Sequence, residues 1–85
     1  MLDYNMRSLF ENLIELKKEN YFRLAEEADY IMNNGISDSY KIEHLLDLLY
    51  DSIYDEVSSN KYIDLCFYYY RIDKDGGLFY LKLLK

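Results

Sequence analysis

Apolar residues recur along the first third of the chain at helical spacing: Leu2, Met6, Leu9, Phe10, Leu13, Ile14, Tyr21, Leu24, Ala25, Ala28, Ile31 and Met32. At about 100° per residue this arc keeps its phase across Lys17-Lys18-Glu19-Asn20. The spacing predicts one long helix over about 2–33, some 45 Å long at about 1.5 Å per residue. Lys17 points into the apolar arc, which leaves a break there open. Asn33-Asn34-Gly35 has the chemistry of a helix stop. Ser37, Asp38 and Ser39 then offer N-caps for a second helix. Ile42, Leu45, Leu46, Leu49, Ile53 and Val57 share its apolar face, so it is expected to run over about 38–58 and to end at Ser58-Ser59-Asn60.

Residues 61–85 admit two readings. As a helix over about 61–73, capped by Ser59 or Asn60, they expose Asp64, Tyr68 and Arg71 and bury the rest, with a short closing element at 78–84. As a β-hairpin over 66–84, the runs Cys66–Ile72 and Leu78–Leu84 flank Asp73-Lys74-Asp75-Gly76-Gly77, a turn with glycine for positive φ. Strict alternation is missing and a two-stranded hairpin needs a surface to lie on, which favours the helix. The expected fold is therefore all-α, a small helical bundle in a single domain, 1–85; the alternative is α+β.

Charge adds a second pattern. The 85 residues carry a net charge of −6, distributed unevenly. Residues 1–23 balance four acids with four bases, and residues 61–85 set three acids against five bases. Residues 24–60 hold nine acids against Lys41 alone, so nine minus one leaves −8 in the middle of the chain. Such a field repels nucleic acid and anionic membranes and steers a basic protein into contact. No apolar run approaches the roughly 20 residues of a membrane span. The single cysteine, Cys66, excludes an internal disulfide and the N-terminus lacks the pattern of a signal peptide, so a cytoplasmic protein is expected.

Within the second helix, Glu43, Asp47, Asp51 and Asp55 follow one another at four-residue intervals. On a helical wheel they fall at about 0°, 40°, 80° and 120°, opposite the apolar residues. Like charges at this spacing cost roughly 0.2–0.5 kcal/mol per pair. Tyr40 and Tyr54 lie within the acidic arc and Tyr50 borders it. Carboxylates about 6 Å apart along a helix axis, interleaved with tyrosines, can imitate phosphates and bases to a protein that binds nucleic acid. These seven residues form the expected partner-binding face; a solvated helix surface is the plainer explanation. Eleven tyrosines exceed ordinary usage. Interfaces favour tyrosine, whereas a buried tyrosine needs a partner for its hydroxyl; a biased codon usage would also supply them.

Other candidate chemistry is thin. His44 with Asp47 and Asp51 offers at most a weak divalent-ion cluster. Asp73, Asp75 and Gly76 fail the calcium-loop pattern, which needs acids where Arg71 and Lys82 stand. Cys66 lies between Leu65 and Phe67 with no basic neighbour to make a thiolate. No cofactor, metal or enzymatic activity is expected. In size, charge and expected mode of action the chain resembles bacterial toxin-immunity proteins and phage inhibitors of host nucleases, anti-CRISPR proteins among them. That likeness is one of character and no motif carries it. It implies an inhibitor that binds a basic, nucleic-acid-acting protein. The alternative is a helical self-associating or adaptor module, such as a homodimer, with no inhibitory role.

Overall fold

A computed structural model describes residues 4–84, and they form four α-helices: α1 Tyr4–Asn33, α2 Ser39–Asp51, α3 Glu56–Ile72 and α4 Lys74–Lys82. Leu2, and the side chains of Met6, Phe10 and Ile14, lie outside what is described. The all-α bundle holds, and among the described residues no strand supports a hairpin over 66–84. α1 runs unbroken past Lys17. It stops as the sequence indicates: Gly35 takes φ 62°, and the Ile36 amide returns to the Ile31 carbonyl at 3.1 Å.

The core is built from one stripe of each helix. Tyr21, Ala25, Ala28 and Ile31 of α1 meet Ile42, Leu45, Leu46 and Leu49 of α2, with Tyr62, Leu65, Cys66 and Tyr69 of α3 and Tyr80 of α4 closing it. Each leucine or isoleucine buried here contributes about 1.5–3 kcal/mol. α2 begins at an Asp38 cap, whose carboxylate accepts the Lys41 amide. An ion pair of 2.7 Å between Lys61 and Asp29 ties α3 to α1 at the half-exposed rim.

The second helix is shorter than its apolar spacing indicates. Ser52 hydrogen-bonds back to the Leu48 carbonyl at 2.9 Å and ends α2, a local bond that competes with helix continuation. The chain crosses at residues 52–55 and restarts at Asp55, which caps α3. Ser58 and Asp55 form a reciprocal capping box. Serines taken as the end of one helix thus belong to the first turn of the next. Val57, expected in the core, is 71% exposed, whereas Ile53 stays packed against it.

The closing element also differs from expectation. It begins at Lys74 and takes Asp75, Gly76 and Gly77 into helix. Asp73 alone separates α3 from α4: its amide caps one helix and its carboxylate accepts the Gly76 amide of the next. The two glycines bring α4 onto α3 at Tyr69 and Tyr70.

Tyrosine hydroxyls join these elements. Tyr62 donates to the Tyr80 carbonyl, Tyr50 to the Leu83 carbonyl and Tyr68 to the Ile36 carbonyl. The first two add donors to carbonyls at the C-terminal end of α4, in its last turn and at the Leu83 cap, where intrahelical donors run out. Tyr69 donates to the Glu43 carboxylate. Burial raises the hydroxyl pKa of Tyr21, Tyr62, Tyr69 and Tyr80, and that of Tyr80 is pushed up to about 12, helped by Asp47. A group whose folded pKa is raised contributes its stability below the unfolded value, here about 10, and loses it as pH rises towards the folded one. Alkaline unfolding is therefore expected between about pH 10 and 12. Tyrosinate absorbance from the buried hydroxyls should rise in step with loss of helical circular dichroism. Full tyrosine ionisation with unchanged helicity would contradict the hydroxyl contacts.

Candidate interaction surface

The carboxylates of residues 43–55 do not share one open face. Glu43 is half-buried and accepts the Tyr69 hydroxyl, with Asp73 also within 3.4 Å of that hydroxyl. Asp55 lies beyond α2, as the cap of α3. Asp47 and Asp51 remain exposed on α2, although Asp47 also acts on the Tyr80 hydroxyl. Asp51, the last residue of the helix, borders a recess shared with Lys17 and Arg23 of α1.

The tyrosines separate in the same way. Tyr40 is 80% exposed and lies parallel to the His44 ring, with centroids 6.2 Å apart. Tyr50 turns its ring towards Tyr62 and its hydroxyl to Leu83. Tyr54, in the 52–55 crossing, packs edge-on against Tyr21 with the Lys18 ammonium 5.8 Å from its ring centre. The solvent-facing line of α2 is thus Tyr40, His44, Asp47 and Asp51, at intervals of four, three and four residues. His44 and its stacking on Tyr40 were not part of the expected face; its place at i+4 from Tyr40 was the available signal.

Beside this line, a recess of about 210 Å³ opens between the end of α1 and the start of α2. It is lined by Tyr30, Tyr40 and His44 together with Ile31, Ile36 and the oppositely charged Glu27 and Lys41. Aromatic walls beside a carboxylate suit a guanidinium or ammonium group. Glu27 and Tyr30 belong to α1, so helical spacing within α2 could not have found them.

Little else offers chemistry. Among the described residues no group of three His, Cys, Asp or Glu side chains is placed to hold a metal ion. Cys66 is fully buried, and burial pushes its thiol up to about 12 against the opposing effect of the Tyr62 hydroxyl. No helix among the described residues is long and apolar enough to cross a membrane. Comparison with protein-family models, with curated proteins and with solved structures finds no match for this chain.

Proposed function

We propose that this protein is a small acidic inhibitor that occupies a basic, nucleic-acid-binding surface of a nuclease or similar partner. The observation that carries this reading is uncompensated charge. Lys61–Asp29 is the one ion pair among the described residues, while residues 24–60 hold eight more acids than bases. Asp47 and Asp51 stand one helical turn apart in solvent, between Tyr40 and the end of α2. Arg or Lys groups of a partner would pair with them by charge-assisted hydrogen bonds. A further cation would enter the recess bounded by Tyr30 and Tyr40, where tyrosine supplies rigid contact area. Occupying such a surface excludes the nucleic acid, and the field of the acidic bundle speeds encounter.

The test is capture from cell extract at about 0.1 M and about 0.5 M salt, where surface charge is heavily screened. The expected result is a basic nucleic-acid-acting protein that is lost at high salt and lost with Asp47→Asn/Asp51→Asn. Helix content of that variant should be unchanged, because both side chains are exposed and an asparagine amide oxygen can still accept the Tyr80 hydroxyl that faces Asp47. Full capture by the variant would rule out this surface.

One observation favours a second reading, a self-associating or adaptor module with no inhibitory role. Leu9, Leu13 and Leu16 on α1 are 64%, 64% and 56% exposed. A salt-insensitive dimer that captures nothing else would favour that reading.

A further inference from the structure

We infer that the N-terminal half of α1 pairs antiparallel with the same segment of a second copy of this chain. This pairing would stand whether or not the acidic line of α2 binds a basic partner.

α1 is far longer than the bundle that covers it. Among its described side chains the buried ones begin at Tyr21, and the protein is 49 Å long against widths of 26 and 20 Å. Leu9, Leu13 and Leu16 lie on the uncovered half, separated by four and three residues. Leu9, Leu13 and Leu16 alternate as a and d positions of a heptad do, and the sequence repeats the same spacing back to Met6 and Leu2. A helix segment of this length is marginal on its own in water, so a lasting helix here needs a partner.

Charge selects a second copy and its direction. Residues 7–20 hold Arg7, Lys17 and Lys18 against Glu11, Glu15 and Glu19, a net charge of zero, so the seam does not repel its own image. The bundle that follows is strongly acidic. Parallel pairing would set two such bundles side by side, whereas antiparallel pairing sends them to opposite ends of the dimer. A two-fold axis near Glu11 places Leu9 opposite Leu13 of the second copy, the self-complementary contact that an isologous interface requires.

The seam leads towards a recess of about 340 Å³ between α1 and α2, where Leu24 and Leu48 lie among the polar Lys17, Asn20, Arg23 and Asp51. On the helical wheel its α1 residues continue the direction of Leu9 and Leu13. In this register the start of α1 from the second copy arrives beside that recess, over Leu48, which is 40% exposed.

Sedimentation velocity over about a hundredfold range of concentration, joined to small-angle X-ray scattering, tests the pairing. The full chain is expected to form a dimer. Two 49 Å molecules overlapping along about 20 Å of helix would span about 75–80 Å. Leu9→Glu/Leu13→Glu changes exposed residues only and should give a monomer whose four-helix bundle still unfolds cooperatively, at a midpoint that no longer rises with protein concentration. A monomer at every concentration, a dimer indifferent to that variant, or a variant-sensitive dimer only about 50 Å long would each overturn the proposal.

Discussion

Gly77→Ala is expected to destabilise the protein by about 2 kcal/mol or more, against the usual benefit of alanine. In an exposed helix the same change would gain about 1 kcal/mol of helix propensity. Here Gly77 is buried, and a Cβ on it would lie 2.5 Å from the Tyr70 Cα and 2.7 Å from the Tyr70 amide nitrogen. Those atoms are backbone and cannot rotate aside. α4 would have to lift from α3, which strains the bond from the Tyr62 hydroxyl to the Tyr80 carbonyl. Gly76→Ala meets the Tyr69 ring instead, at 2.6 Å from its nearest carbon, and that side chain can yield in part. Urea denaturation should show the midpoint of the Gly77 variant falling below that of the Gly76 variant, with the slope unchanged. A Gly77 variant as stable as the parent would mean that α4 does not pack on α3 at this distance.

Ser58→Ala is expected to cost about 2–4 kcal/mol, far more than a surface serine. Its hydroxyl is buried and accepts the Tyr54 and Asp55 amides at 2.9 and 3.1 Å, while donating to the Asp55 carbonyl at 2.9 Å. Alanine removes the acceptor of the Tyr54 and Asp55 amides, at about 1–3 kcal/mol for a donor left without one. Half of the capping box goes with it. Ser59 is the control, since its hydroxyl meets only the Glu56 carbonyl of its own helix. Equal thermal denaturation midpoints for Ser58→Ala and Ser59→Ala would contradict the described turn.

These two positions also mark where sequence reasoning reached its limit. The long first helix, its Gly35 stop and the leucine face of α2 followed from periodicity and turn chemistry, because those signals are local. The turn at 52–55 did not. Ile53 and Val57 continue the α2 spacing, yet Ser52 and Asp55 offer the backbone competing partners, and the capping box won. Gly76 and Gly77 suggested a turn because glycine disfavours helix in isolation. Their packing against Tyr69 and Tyr70 depends on a tertiary contact that spacing along the chain cannot reveal. The acidic arc of Glu43, Asp47, Asp51 and Asp55 assumed one helix from Glu43 to Asp55, so the same hidden turn divided it. Several tyrosines joined the core by a route composition does not disclose: their hydroxyls meet carbonyls at helix ends and loops.

The claim on which the assembly rests is that α1 extends past the bundle as a helix with its apolar seam covered. Hydrogen–deuterium exchange along α1, followed as protein concentration rises, tests it most directly. The account predicts that amides of residues 7–17 gain protection with concentration and lose it in Leu9→Glu/Leu13→Glu, while residues 21–33 stay protected in both. Unprotected exchange across 7–17 at every concentration, beside a stable 21–33, would contradict it.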